Sequence, residues 1–226
     1  MLWLAVAFVI LLIFLTPRFL LACENASTAD WGSRKVNRIA GFIYLLCKHL
    51  HHLQSDPLPI PESGGALVAS NHISGLDPFL LIAASPRPLR FLIAREQYER
   101  FGLNWLFRLA KCIPVDREGR PERALREALT ALEQGDVVAV FPHGKIHLDS
   151  DPPRKLKGGV VRLAQRTDSL IFPVRIDDVR GAGHTILAVV IPSYSRLKVF
   201  PAIDCSVMEH EECLSRLASL IEPKDA

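Results

Sequence analysis

The sequence predicts an α/β fold: a mixed, largely parallel sheet flanked by helices, preceded by a helix that anchors the chain in a membrane. Three observations carry that expectation. From residue 66 onward, short apolar runs alternate with amphipathic stretches of helical period, the signature of repeated βαβ connection. The apolar runs end in loops that hold polar and charged side chains, as in sheets that present a site at their strands' carboxyl ends. Ahead of all this, Leu2 to Thr16 carries no charged residue. With 226 residues, 49% hydrophobic and 23% charged, the chain suffices for one sizeable domain with a buried core.

The first uncharged run continues past Pro17 and Arg18 through Phe19 to Ala22, close to the roughly 20 residues that span a bilayer as a helix. Arg18 stands near enough to its end to reach the headgroups. Arg34, Lys35 and Arg38 come next, and positive charge on that side places the rest of the chain in the cytoplasm. Residues 1–22 are therefore expected to be a single-pass anchor in the cell inner membrane or another cytoplasm-facing membrane. A competing reading takes Leu20-Leu21-Ala22-Cys23 as a lipoprotein processing site. Against it, Met1 to Leu4 lacks the positive side chain that opens a secretory signal.

Residues 23–65 are read as a membrane-proximal amphipathic helix and a linker. Val36, Ile39, Ala40, Ile43, Leu46, Cys47 and Leu50 recur at three and four, which predicts a helix over 36–53. Its stripe can bury against the core or lie in the membrane interface. His49, His51 and His52 point to different sides of such a helix and read as a solvated or interfacial face rather than a ligand set. The segment 56–65, rich in proline and glycine, is the connector. The α/β domain then occupies 66–226.

Within it the pattern gives a strand over 66–70, a helix over 78–84, a strand near 90–94 and an amphipathic stretch over 96–110. A helix over 121–133, stopped by Gly135, leads into a strand over 137–141. Next come a loop over 142–153, a helix over 156–165 and strands near 170–176, 185–191 and 197–200. A helix over 207–220 closes the chain. The five cysteines are scattered, with no Cys-x-x-Cys pair, and fit reduced thiols.

Charge is unevenly placed. Ten Lys/Arg oppose five Asp/Glu from Arg87 to Arg126, and six oppose two from Phe141 to Arg166, whereas the tail from Asp204 has two against six. The net charge of +3 demands no polyanion, and no aromatic-basic interleaving or nucleic-acid-binding motif occurs, so nucleic acid is not an expected partner.

Three loops hold the chemistry. In the first, Asn71-His72-Ile73-Ser74-Gly75-Leu76-Asp77-Pro78, an imidazole stands five positions before a carboxylate. A histidine titrates near neutrality and serves as a general base, and a carboxylate on its second ring nitrogen fixes the tautomer. Asp77 before Pro78 also reads as the N-cap of any helix with proline at its first position. No Gly-x-Ser-x-Gly elbow supplies a nucleophile, so the substrate supplies the hydroxyl. In the second loop, the apolar run from Cys112 ends on Arg117, whose planar fork suits a phosphate, or which pairs with Asp116 or Glu118 on the surface. In the third, Phe141-Pro142-His143-Gly144-Lys145-Ile146-His147 precedes Arg154, Lys155, Lys157, Gly158 and Gly159, cationic side chains next to free helix N–H groups. His143 and His147 have the spacing of helical metal ligands, but Gly144 stands where a zinc protease needs Glu, and no metal site is expected.

In order and spacing these loops resemble the motifs of the 1-acylglycerol-3-phosphate acyltransferase family. His72 and Asp77 match its His-x-x-x-x-Asp signature, with Asn71 before it. The segment 113–117 matches the second motif, and Phe141, Pro142 and Gly144 match part of the third, Phe-Pro-Glu-Gly-Thr-Arg-Ser. Lys157-Gly158 matches the family's later lysine-glycine pair, and 171–174 its fourth motif, an apolar strand passing through proline. The resemblance runs from about 66 to 176. It implies a membrane-bound O-acyltransferase with membrane lipids as partners, moving a fatty acyl group from acyl-CoA or acyl carrier protein to the free hydroxyl of a lysophospholipid, with that thioester as co-substrate and no cofactor. His72 is then the base and Asp77 its orienting partner, both catalytic. Asn71, Arg117, His143, Gly144, Lys145 and Lys157 are the substrate-binding set. The third motif departs from the family at His143, Lys145, Ile146 and His147. That opens two alternatives: a non-phosphatidate acceptor such as a lyso-aminolipid, or a catalytically inactive lipid-binding relative.

Overall fold

The computed structural model describes residues 16–100, 102, 104–116, 119 and 121–222, with single positions 3, 6, 9 and 12 ahead of them. Two helices, α1 (Pro17–Ala26) and α2 (Arg34–His49), precede strand β1 (Ala66–Ser70). Then come α3 (Asp77–Ala84), β2 (Leu89–Ala94), the short α4 (Arg95–Tyr98) and α5 (Asn104–Leu109), and β3 (Ile113–Val115). The chain continues through α6 (Pro121–Glu133), β4 (Val137–Val140), α7 (Gly159–Thr167), β5 (Ile171–Asp177), the single turn α8 (Leu187–Val190), β6 (Arg196–Val199) and α9 (His210–Ile221).

The strands form one sheet in the order β3-β2-β4-β1-β5-β6, parallel throughout except for β6, which runs antiparallel to β5 at the edge. Every residue of β1 is buried, because both faces are covered. Side chains alternate across a strand, so Ala66 and Val68 join Ile43 and Cys47 of α2 and Leu80 and Leu81 of α3 on one side. Leu67 and Ala69 join Ala124 and Ala128 of α6, Val160 and Ala164 of α7, and Leu217 of α9 on the other. The expected mixed, largely parallel sheet between helical layers is present.

Local chemistry sets the boundaries. Alanines and leucines four and three apart give α6 its buried stripe, and Gly135 ends it. At φ +86° this residue takes the left-handed position that glycine tolerates best. The Gly135 N–H donates to Leu132 O and the Asp136 N–H to Ala131 O, both at 2.9 Å, the paired bonds of a Schellman stop. Ser33 caps α2 by accepting from the Val36 N–H at 3.3 Å. The Arg87 guanidinium holds the connector against the body, donating to Pro61 O, Gly64 O and Gly135 O.

Several expectations are corrected. The residues 185–191 form no strand but one helical turn, with Ala188 buried in the core, Val189 packed against it, and Ile186 and Val190 left 65% and 60% exposed. Their β-branched composition suggested a strand, but Thr185 lies against Gly75 of the loop after β1, away from the sheet's edge strands β3 and β6. The stripe of α2 buries against the body through Val36, Ala40, Ile43 and Cys47. His51 is not on a solvated face: it is fully buried, its ring held by Ser193 Oγ at 2.9 Å and Val189 O at 3.0 Å. Cys205 and Cys213 pair as a disulfide, Cα atoms 5.7 Å apart, so not all the thiols are reduced. The expected anchor over 1–22 falls mainly outside the described residues. Among the described residues, no helix is long and apolar enough to cross a membrane.

Helices α1 and α2 touch at Gly41, where a Cβ would stand 1.6 Å from Cys23 O. Gly41→Ala is expected to push them apart and cost about 1–3 kcal/mol, as overpacking does. Urea unfolding checks this, and an unchanged midpoint contradicts it.

Candidate active site

Because β1 and β4 are parallel neighbours with Ala69 beside Val140, the loops that leave them emerge side by side. Phe141 is the first residue beyond β4 and His72 the second beyond β1. Their rings stack at 4.2 Å, with Phe91 of β2 behind Phe141 at 6.1 Å. One face of the imidazole is thus covered by an apolar wall, and its side chain remains 19% exposed.

The other constraint on His72 is Asp77. The carboxylate is fully buried and accepts four hydrogen bonds: from the Ile73 N–H at 2.6 Å, the Ser74 N–H at 2.8 Å, the Ser74 hydroxyl at 2.6 Å and His72 Nδ1 at 2.8 Å. An ionised carboxylate is acceptor-only, so Nδ1 carries the proton. Nε2 is left as the basic nitrogen, pointing away from the carboxylate across the ring. Asp77 is the first residue of α3 and bonds upstream to the loop. It does not cap the helix through its side chain, which corrects the N-cap reading. The Ser74 hydroxyl is committed to Asp77, and that of Ser70 to Asn71, so neither serves His72 as a nucleophile.

The remaining expected residues fall into two groups. Asn71 is buried, and its amide brackets the main chain of Ile176, donating to the carbonyl at 2.9 Å and accepting from the N–H at 2.7 Å. That bond pair ties the loop after β1 to β5. Gly144, at φ +76°, makes the turn after β4, and a Cβ there would come within 2.8 Å of Lys157 Nζ. Gly144 and Lys157 therefore sit together, while Lys145 is exposed one residue on. Arg117 lies outside the described residues.

His143 is 3% exposed on its side chain and stacks on His147 at 4.7 Å. Its Nε2 meets Glu222 Oε1 at 3.3 Å, whereas its Nδ1 is buried without a partner. Burial, reinforced by the positive charge of His147 and Arg154, pushes the His143 ring down to about 4, and burial raises the Glu222 carboxyl. His143 is therefore neutral at pH 7, its Nε2–H donating to Glu222. With Asn71, His147, Asp151, Arg154 and Glu222 it lines a cavity of about 150 Å³. The N–H of His147 donates to His72 O at 2.7 Å, joining that cavity to the first loop. Among the described residues, no group of three His, Cys, Asp or Glu side chains is placed to hold a metal ion.

Sequence reading missed Ser74, Phe141 as the stacking wall, and Glu222. Ser74 was discoverable inside the first motif as a hydroxyl three residues before the carboxylate. Glu222 had no signal, since it stands 79 residues from His143, just past the last helix.

The sheet sets a carboxylate-held histidine and a glycine-lysine turn on neighbouring loops, and this chain belongs to the acyltransferase family, whose model matches residues 52–177, more than half of it. Within that family it is of the 1-acylglycerol-3-phosphate acyltransferase-like kind. It is 33% identical over 134 residues to the N-acylphosphatidylethanolamine synthase of Arabidopsis thaliana, covering 54% of this chain and 46% of that protein. Against a probable 1-acyl-sn-glycerol-3-phosphate acyltransferase of Mycoplasma pneumoniae it is 30% identical over 161 residues, 67% of this chain and 57% of that one. The match thus spans about half the length of these curated relatives. The crystal structure of the 1-acyl-sn-glycerophosphate acyltransferase PlsC from Thermotoga maritima shares the fold, with a TM-score of 0.63 at 20% identity over 97% of this chain and 86% of that one.

The depressed His143 titration makes a stability prediction. The unfolded ring takes up a proton near 6.5 and the folded ring only near 4, so the unfolded state binds more protons between those values. Stability present above pH 6.5 is therefore lost as pH falls toward 4. The difference in unfolding free energy between the native protein and His143→Gln should track that slope. A difference that is flat over this range contradicts it.

Proposed function

We propose that the chain is a membrane-associated O-acyltransferase that moves a fatty acyl group from a thioester, acyl-CoA or acyl carrier protein, to the free hydroxyl of a lysophospholipid. The observation that carries this is the buried Asp77 carboxylate holding His72 Nδ1 at 2.8 Å with Nε2 left basic and, among the described residues, no protein hydroxyl bonded to it. Membership of the acyltransferase family and the names of its relatives support the reaction class.

In this mechanism the acceptor hydroxyl lies against Nε2. As its oxygen bonds to the thioester carbon, Nε2 takes the proton, and Asp77 stabilises the imidazolium. The tetrahedral intermediate collapses, the C–S bond breaks, and the departing thiolate recovers the proton from Nε2. An ester and a free thiol result. Phe141 keeps water from one face of the ring. Lys157 over Gly144, with Lys145 and Arg117, supplies positive charge for acceptor and donor phosphates. The catalytic body faces the cytoplasm in this reading, where the thioester is available.

One relative's name favours a second reading. The N-acylphosphatidylethanolamine synthase suggests a lipid amine in place of the hydroxyl as acceptor, with the same base. Mild alkali separates the two, since it cleaves an ester product and leaves an amide.

Liposomes containing labelled acyl-CoA or acyl carrier protein and a lysolipid panel test the proposal. His72→Ala is expected to lower transfer by about 10²–10⁴-fold, the usual contribution of a general base. Transfer undiminished in that variant contradicts the mechanism, and absence of product with every acceptor favours a lipid-binding relative.

A further inference from the structure

The cavity beside the first loop holds two opposite charges that do not meet. Glu222 presents a carboxylate that is 35% exposed, and its side chain's partner is His143, which is neutral. Arg154 contributes a guanidinium to the same wall and forms no ion pair among the described residues. The other carboxylates there are satisfied: Asp149 by Arg175 at 2.5 Å, and Asp151 by the Leu148 N–H at 2.9 Å and by His147 at 3.6 Å. Glu222 and Arg154 share a space of about 150 Å³, yet they make no bond to each other. The buried Nδ1 of His143 is an acceptor without a donor, a condition native proteins rarely leave unmet.

Two separated charges of opposite sign, neither with a charged partner among the described residues, are the complement of a small zwitterion. The geometry points to this cavity as the headgroup subsite for a zwitterionic phospholipid acceptor, with its ammonium against Glu222 and its phosphate against Arg154. The inference rests on the proposed acyl transfer and narrows its substrate class. An acceptor carrying phosphate alone satisfies Arg154 and leaves Glu222 facing another negative charge. Burial raises the Glu222 carboxyl, as expected where its cation is missing. Position agrees with this role. Asn71, immediately before the base, is part of the lining, and His147 is bonded to the main chain of His72. The sequence placed His143 where the resembling family has a glutamate. In the fold, the end of α9 brings Glu222 to that histidine.

The full-length protein in liposomes tests this by competition between lysophosphatidylethanolamine, lysophosphatidylglycerol and 1-acylglycerol-3-phosphate at equal surface concentration. The ethanolamine acceptor should show the highest kcat/KM. Glu222→Gln should reduce its kcat/KM relative to that of the glycerol acceptor about tenfold, while Glu222→Asp keeps part of the preference. The ratio serves as its own control, because damage to the fold lowers both acceptors together. A ratio unmoved by Glu222→Gln, or a native preference for the phosphate-only acceptor, overturns the subsite. Calorimetry with glycerophosphoethanolamine and glycerol 3-phosphate separates this inference from the reaction. If no lysolipid is acylated but the first compound binds and Glu222→Gln abolishes its binding, the acyl-transfer reading fails and the subsite stands. Equal binding of the two compounds to the native protein overturns it.

Discussion

Asp77 is the constraint on which the site depends. A fully buried carboxylate is tolerated only when its oxygens are satisfied, and four hydrogen bonds from three consecutive residues meet that demand. Those bonds dictate the path of the chain between β1 and α3, since the N–H groups of Ile73 and Ser74 must turn toward one oxygen. Once the loop is so wrapped, His72 has one orientation, with Nδ1 on the carboxylate and its face on Phe141. Strand order supplies the rest. Because β4 lies next to β1 the two loops meet, and β5, paired to β1 on its other side, is tied to the first loop by the Asn71 amide on Ile176.

The legibility of this arrangement in the sequence varied with how local the cause was. The buried strands read clearly, because β1 and β4 are short unbroken apolar runs bounded by glycine, proline or polar residues. The helix α6 was legible at both ends, since alanine spacing and the Gly135 stop are local signals. The segment 185–191 was not, because a β-branched run becomes a strand only if the sheet offers an edge, and here the segment packs over the first loop. His51 was misread for a similar reason: its partners Ser193 and Val189 lie more than 130 residues away. Within the site, His72 and Asp77 were readable as a pair in one loop, whereas Glu222 reaches His143 only through the docking of the final helix.

The third loop shows how a tertiary contact changes local chemistry. In the sequence, His143 and Lys145 are departures from the resembling family's third motif. In the fold His143 is buried and neutral, Lys157 covers Gly144, and a carboxylate returns from the end of α9 into the cavity that Arg154 lines. In the proposed function the first loop carries the reaction and the third the acceptor. These are separable properties, held by different strands and joined by the bond from the His147 N–H to His72 O.

The central claim is that Asp77 holds His72 as the Nδ1–H tautomer with Nε2 basic. Two-bond nitrogen-proton NMR on ¹⁵N-histidine-labelled protein, with the ring assigned through His72→Gln, reads this directly. At a pH above its titration, His72 should show a protonated-type Nδ1 and a bare Nε2, and Asp77→Asn should weaken that preference. A ring with its proton on Nε2, or one averaging equally between both nitrogens in the native protein, would contradict the account.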